Sequence, residues 1–358
     1  MSIVNRAYHH ARWRGSRVGA SARDVLLAVA GVALSRPVGM PAGRLHHELD
    51  TVSRDARRTK RARQRLSSMR SQGTLQTVDD LDIAARKRSS TVFVLGSGSS
   101  VNHLTEADWA VVGRHDSIGF NLWLVHDFVP TFYFIELGTR SLPGDMEDRY
   151  QVQLLGRRLP DFEGMPIIVE SKCWLRSNGV AYPLPSQLRD SLFFYAPYYL
   201  RTTSVDLVAW VLDHSRPFWR HGSRDLRAMV HHRASLSALV LFAFLAGYEE
   251  IVLVGVDLND SRYFWETNSD VLRGAAGPPT DGNSQVHVTV DPTATAWEVA
   301  VPIPDYLRLL DSSVLRPNGV TLSVANPSSL LSSFLPVYGG LSPGAQIRPP
   351  AAGDGVDP

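Results

Sequence analysis

The stretch TVFVLGSGSS, residues 91–100, decides the fold class. Its first five residues are apolar or β-branched, which is typical of a buried strand, and they break off into a Gly-Ser-Gly-Ser-Ser loop. Glycines and serines near a helix start can turn backbone N–H groups toward an anion. We therefore predict a ligand-binding loop at Gly96, Ser97, Gly98 and Ser99. The alternative is a tight strand–helix turn that binds nothing.

The loop lacks the features of two common nucleotide sites. A dinucleotide fingerprint needs a third glycine, where this chain has Val101, and an acidic residue ending the next strand, where it has Asn121. A Walker loop needs Lys-Ser/Thr after the glycines, and that pair is absent. NAD is therefore disfavoured, whereas a nucleotide phosphate or a sugar remains open.

Short apolar strands alternate with helical segments after residue 91. Strands are predicted at 91–96, 117–121, 131–137, 165–170, 251–257 and 320–325, and helices near 105–113, 145–157, 204–214, 233–247 and 304–314. This alternation predicts an α/β fold with a mostly parallel sheet in one large Rossmann-like domain, which we place at 76–338. The Gly/Pro/Ala-rich end, 339–358, is predicted to be a disordered tail.

The net charge of +2 hides a strong asymmetry. Residues 1–70 carry 15 Lys and Arg against 4 Asp and Glu, so the rest of the chain is acidic. We predict a basic N-terminal arm at 1–75, with a short apolar helix at 23–35 and an exposed basic helix at 44–69. Such an arm indicates an anionic partner, and we expect the inner face of the cell membrane. A nucleic-acid-binding or merely solvated arm is the alternative.

Nothing in the sequence predicts a secretory or membrane-spanning protein. The apolar run 25–34 is about half of the ~20 residues that a membrane-spanning helix needs, and it follows an Arg/His-rich lead. The single cysteine, Cys173, fits a reducing compartment. We therefore expect a cytoplasmic protein, peripheral on the inner membrane face. An oligomer is possible.

Several motifs follow the glycine loop in a fixed order. They are DSIGFNLW at 116–123, TFYFIE at 131–136, HHRASLSALVLFAFLAGYEEIVLVGVDL at 231–258, SRYFW at 261–265 and QVHV at 285–288. Across roughly residues 91–336 they resemble the bacterial sialyltransferases of glycosyltransferase family 42. The resemblance implies a GT-A-like fold, inverting transfer of a nonulosonic acid from a CMP-sugar, and no cofactor or essential metal.

The resemblance also implies roles for particular residues. It places a catalytic base at His287, a helix-start arginine at Arg233 and a phosphate-binding tyrosine at Tyr263. It implies donor contacts at Gly96, Ser97, Gly98, Ser99, Asn121, Ser235, Asp257, Asn259 and Ser328. Glu136 is a further candidate contact for donor or acceptor, because it ends a predicted strand at the sheet edge where ligands bind. Two positions depart from the family pattern: Asn259 stands where a second tyrosine is expected, and Leu236 where a serine is expected.

These residue types suit the chemistry of an inverting transfer. A histidine with a pKa near ~6.5 can take the proton of the acceptor hydroxyl at neutral pH. An arginine and a tyrosine hydroxyl can stabilise the charge that grows on the leaving CMP phosphate. The segment DLND, 257–260, could indicate an Asp-x-Asp metal motif, but its two carboxylates are separated by two residues rather than one. We expect no metal site there.

We therefore predict a glycosyltransferase of cell-surface polysaccharide biosynthesis, with a CMP-activated acidic sugar as donor. Sialic acid, legionaminic acid and Kdo are candidate sugars, and a glycan or glycolipid is the expected acceptor. Two other functions remain open: a pterin-type diphosphotransferase that uses ATP and a metal, and a non-catalytic nucleotide-sugar-binding membrane protein. The scarcity of clustered aspartates disfavours the first. No nucleic acid is expected as a partner.

Overall fold

The computed structural model describes residues 42–136, 146–171, 184–215, 219–272, 277–278 and 301–342. The predicted helix at 23–35, Cys173, His287 and the chain beyond residue 342 lie outside these ranges.

Ten strands build the β-structure of the described residues. In chain order they are β1 Gln76–Thr77, β2 Thr91–Leu95, β3 Asp116–Phe120, β4 Phe132–Ile135, β5 Ile167–Glu170, β6 Leu192–Tyr195, β7 Tyr198–Tyr199, β8 Val230–His231, β9 Glu250–Val254 and β10 Thr321–Val324. Eight of them form one sheet in the order β1-β6-β5-β4-β3-β2-β9-β10, while β7 and β8 pair separately. Every pairing between these ten strands is parallel, so the predicted α/β fold with a mostly parallel sheet is confirmed.

Helices alternate with the strands along the chain. They are α1 Ala42–Ser71, α2 Ile83–Arg86, α3 Glu106–Gly113, α4 Met146–Arg157, α5 Val205–Ser215, α6 Ser235–Ala246, α7 Phe264–Thr267 and α8 Ile303–Leu310. The helix α6 ends at Gly247, whose φ of 85° suits glycine, and its residues from Leu236 to Ala246 are all buried. No helix in the described part of the chain is long and apolar enough to cross a membrane.

The central strand β2 separates two hydrophobic cores. All five of its residues are buried. Val92 and Val94 belong to one apolar cluster, which includes α6, whereas Phe93 and Leu95 belong to the other. Because side chains alternate along a strand, a strand covered on both faces must be apolar throughout. This is why residues 91–95 read as an unbroken apolar run.

The connections place a topological switch point at β2. From β2 the chain adds β3, β4, β5 and β6 on one side, and it then returns to place β9 and β10 on the other side. The loops that leave β2 and β9 therefore diverge at neighbouring strand ends. In open α/β sheets, ligands bind in this crevice.

The helix α1, predicted to be exposed, packs against the sheet along one face. Val52 and Leu66 are buried, and polar contacts also hold that face in place. The guanidinium of Arg201 donates two hydrogen bonds to the carboxylate oxygens of Asp55, at 2.5 and 2.7 Å. Thr59 Oγ1 donates a hydrogen bond to the carbonyl of Pro197 at 3.0 Å. The opposite face of α1 is solvent-exposed and basic. Arg57, Arg58, Lys60, Arg61 and Arg65 all lie on it.

Candidate functional site

The glycine loop after β2 is joined directly to the loop after β9. The N–H of Gly98 donates to the carbonyl of Gly255 at 2.8 Å, and the N–H of Ser100 donates to Asp257 Oδ2 at 3.0 Å. The N–H groups of Gly96 and Ser99 also have acceptors within the chain, at 2.7 and 3.1 Å. These four donors are therefore already engaged.

The glycines allow the two loops to approach closely. A Cβ on Gly98 would lie 2.5 Å from Asp257 Oδ2, and one on Gly96 would lie 2.6 Å from the carbonyl oxygen of Gly255. Both distances are far inside van der Waals contact. Loop-to-loop packing thus accounts for glycine at both positions, and the role of the loop in binding a ligand stays a prediction.

Asp257, a predicted donor contact, holds three loops together. Its carboxylate is buried and accepts from the N–H of Ser100 through Oδ2 and from Nδ2 of Asn326, after β10, through Oδ1 at 2.8 Å. Its carbonyl accepts from the N–H of Leu330 at 2.9 Å. Asp257 therefore positions the loops after β2, β9 and β10 relative to one another.

Tyr263, Asn259 and Ser328 lie around the same crevice. Tyr263 forms an antiparallel bridge with Gly98, and its ring stacks on Trp265 with centroids 4.5 Å apart. Asn259 Nδ2 donates to the carbonyl of Ser328 at 2.8 Å. The structure thus brings these predicted residues to the switch-point edge, while His287 lies outside the described residues.

Asn121, Glu136 and Ser235 form a second group at the ends of β3 and β4 and the start of α6. The N–H of Glu136 donates to Asn121 Oδ1 at 3.1 Å, and Asn121 Nδ2 donates to Ser235 Oγ at 3.3 Å. Ser235 Oγ in turn donates to Glu136 Oε2 at 2.8 Å. These residues are far apart in sequence, yet they form one hydrogen-bonded network.

Two further residues extend this group and were not predicted from the sequence. His231 Nε2 lies 3.2 Å from Glu136 Oε1, and Glu170 ends β5 beside the end of β4. Glu136, Glu170 and His231 are 5%, 2% and 6% exposed. A signal was present: two apolar strands, TFYFI and IIV, are each followed by glutamate, and His231 is the first residue of the HHRAS segment of the resemblance.

Backbone strain is concentrated at this edge. Asn121, Arg233 and Leu258 have φ values of 48°, 58° and 63°, in the left-handed region that L-residues other than glycine seldom adopt. Each follows closely on a strand end. Such conformations cost about 1–3 kcal/mol and cluster at functional sites. The strain therefore supports a functional role for this edge.

Two groups near the edge have shifted pKa values. Hydrogen bonds from the Arg262 guanidinium lower the pKa of Asp260 to about 2, so this carboxylate is ionised at neutral pH. Burial lowers the pKa of His232 to about 4, although both ring nitrogens lie 2.7 Å from carbonyl oxygens that favour the protonated ring. The ring of His232 is inaccessible to water and stacks on Tyr306.

No protein-family profile matches the chain, and no curated protein matches its sequence. Comparison of folds finds the sialyltransferase CstII from Campylobacter jejuni with the substrate analogue CMP-3FNeuAc, at 14% identity and a TM-score of 0.35, covering 69% of this chain and 85% of that one. A CST-II variant in complex with CMP gives 15% identity and a TM-score of 0.37, covering 69% and 86%. The order and parallel pairing of the strands establish the α/β fold of this chain.

Proposed function

We propose that the protein is an inverting glycosyltransferase that transfers a nonulosonic acid from a CMP-sugar to a glycan or glycolipid. The observation that carries the proposal is the network of Asn121, Glu136 and Ser235. The sequence resemblance assigns Asn121 and Ser235 to the donor site, and Glu136 is a candidate contact from its position at a strand end. The three come from segments up to 114 residues apart. Their meeting at the carboxyl edge of a parallel sheet, where ligands bind, supports that assignment.

In this proposal the nucleotide occupies the crevice between the loops after β2 and β9. Tyr263, next to Gly98, contacts the phosphate. Arg233, at the start of α6, supplies positive charge for the donor carboxylate or the leaving phosphate. The base that takes the acceptor proton is His287. The basic face of α1 holds the enzyme at the inner membrane, near a lipid-linked acceptor.

A ligand panel tests the donor assignment. CMP and a CMP-nonulosonate should raise the Tm of the full chain, because a ligand at a hundredfold excess over Kd stabilises a fold by ~2.7 kcal/mol. UDP-hexoses and NAD should have little effect. A shift with UDP-sugar and none with CMP would overturn the proposal. A shift with ATP and a divalent metal alone would favour the diphosphotransferase.

Substitution of Arg233 tests whether its positive charge contacts the phosphate or carboxylate of the donor. Arg233→Ala should weaken the response to CMP-sugar more than the response to cytidine, which lacks phosphate and carboxylate. Arg224→Ala is a matched control, because Arg224 also has a left-handed φ, of 57°, but contacts Leu245 near the opposite end of α6. Equal losses in both variants would remove Arg233 from donor binding. Binding of CMP-sugar without any transfer or hydrolysis would favour the non-catalytic protein.

A further inference from the structure

Three buried side chains converge where β4, β5 and β8 end. Glu136, Glu170 and His231 each offer one ligand atom, and these atoms all lie within 4.8 Å of one another. We propose that this acid–histidine cluster binds one divalent transition-metal ion of the Zn²⁺ or Mn²⁺ class.

The parallel register creates the convergence. Ile135 pairs with Val169, so the residues that follow them, Glu136 and Glu170, leave neighbouring strand ends side by side. Glu136 Oε1 and His231 Nε2 are 3.2 Å apart. Metal–ligand bonds of about 2.0–2.1 Å place neighbouring ligands about 3.0 Å apart in an octahedral site and about 3.4 Å apart in a tetrahedral one. The carboxylate and the imidazole therefore already have the separation that such an ion requires.

The donor set selects the class of ion. Two carboxylates and one imidazole give mixed oxygen and nitrogen ligation, which suits Zn²⁺ or Mn²⁺ better than Mg²⁺, whose sites are built from oxygen and water. Two carboxylates also match the charge of a divalent ion in a buried position. Ser235 Oγ donates to Glu136 Oε2 at 2.8 Å, which fixes the carboxylate in the way that outer hydrogen bonds orient metal ligands.

The proposed site differs from the metal pattern considered in the sequence. The carboxylate of Asp257 accepts from Ser100 and Asn326, and that of Asp260 accepts from Arg262 and Ser99. These aspartates hold loops together. The expectation of no essential metal concerned sugar transfer, whereas this proposal concerns an ion that joins three strand ends. It does not depend on the proposed function, because binding is measured without nucleotide sugar.

The experiment is a titration of the full chain with Co²⁺, after treatment with chelator and dialysis. Visible absorption monitors the binding. We expect one equivalent of Co²⁺ to give d–d bands and Zn²⁺ to displace it. Glu170→Gln and His231→Gln should weaken binding at least tenfold, while Asp260→Asn, the matched control, should bind as the wild type does. His231→Cys should add a sulfur-to-cobalt charge-transfer band, which would identify the ligand directly.

Several outcomes would overturn the proposal. The first is a folded wild-type chain that binds neither Co²⁺ nor Zn²⁺ stoichiometrically, which would leave Glu136 and His231 as a hydrogen-bonded pair without an ion. The second is wild-type affinity in folded Glu170→Gln and His231→Gln. The third is a folded, cobalt-loaded His231→Cys without the charge-transfer band. Circular dichroism reports folding, and the wild-type titration decides alone if the variants unfold.

Discussion

The contact between the glycine loop and the β9 loop makes Gly98→Ala a sharp test of the structure. The added methyl group would lie 2.5 Å from Asp257 Oδ2, 2.8 Å from the carbonyl oxygen of Gly255 and 3.0 Å from Asp257 Cγ. Asp257 cannot swing away without losing its bonds to Ser100 and Asn326. The two loops must therefore separate.

The expected loss of stability follows from overpacking. Inserting a methyl group into a well-packed region costs about 1–3 kcal/mol, and here one of the opposing groups is backbone. For a domain of this size the Tm should fall by roughly 2–10 °C. Any stabilisation by CMP should also fall, because the separated loops flank the crevice proposed for the nucleotide.

Gly113→Ala is the matched control. Gly113 ends α3, and nothing lies within 4 Å of the position its Cβ would take. This substitution should leave stability unchanged or raise it by up to about 1 kcal/mol, since alanine restricts the unfolded chain. Urea unfolding of both variants measures the difference. If Gly98→Ala were as stable as Gly113→Ala, the two loops would not be in the contact described.

Three other predictions concern separate parts of the chain. Burial lowers the pKa of His126 to about 4, so the unfolded state binds more protons between pH ~6.5 and ~4. The free energy of unfolding should therefore decrease as the pH falls through this range, by at most about 3 kcal/mol. Urea titrations of His126→Gln should show a smaller decrease, and an unchanged decrease would exclude His126 as its source. His287→Ala should reduce turnover by about 10²–10⁴-fold while donor binding persists, and near-normal transfer would remove His287 from the mechanism. Replacing the exposed basic residues of α1 with glutamine should release the protein from anionic vesicles in co-sedimentation, because each basic residue contributes roughly 1 kcal/mol to binding at low salt. Equal pelleting of the variant and the wild type would refute the membrane contact. The residues to replace are Arg57, Arg58, Lys60, Arg61 and Arg65.

The sequence predicted the alternation of strands and helices because burial on both faces leaves a local signal. The strand β2 reads as an apolar run, and α6 reads as an apolar helix that ends at glycine. It did not predict β6, Leu192–Tyr195, a short aromatic strand that ends two residues before Pro197. The order of strands in the sheet is a tertiary property with no local signal.

The sequence also did not predict that one face of α1 packs against the sheet. Among the residues of α1 whose burial the structure describes, Val52 and Leu66 are the buried apolar ones, and polar side chains make much of the remaining contact. Arg63 donates to the carbonyl of Ala196 and to the hydroxyl of Tyr198, at 2.9 and 2.6 Å. In sequence such an arginine cannot be distinguished from the solvated ones. A membrane test by deletion up to Gln76 would therefore remove docked residues, and neutralising the exposed face is the cleaner experiment.

The candidate site was predictable only in part. Asn121, Glu136 and Ser235 were identified because each lies in a motif of the family resemblance. Glu170 lies outside those motifs, and a glutamate that ends an apolar strand reads as the start of a loop. His231 opens the motif at 231–258, but the resemblance implies no role for it. Their approach to Glu136 depends on the pairing of β4 with β5 and on the return of the chain through β8. The register between distant strands determines how close these side chains come, and sequence patterns do not specify that register.

The strain at Arg233 can be separated from the role of its side chain by comparing two substitutions. Arg233→Gly and Arg233→Ala remove the same contacts beyond Cβ. They differ in how well each residue adopts a φ of 58° and in the entropy of the unfolded chain, which disfavours glycine by about 0.5–1 kcal/mol. Alanine pays about 1–2 kcal/mol in the left-handed region and glycine almost nothing. The glycine variant should therefore be more stable than the alanine variant by about 1 kcal/mol, while both lose the response to CMP-sugar equally. Arg224, at 57°, should show the same stability difference without any loss of ligand response. An alanine variant at Arg233 as stable as the glycine variant would mean that the segment relaxes to an unstrained backbone, and the argument from strain to function at this edge would fail.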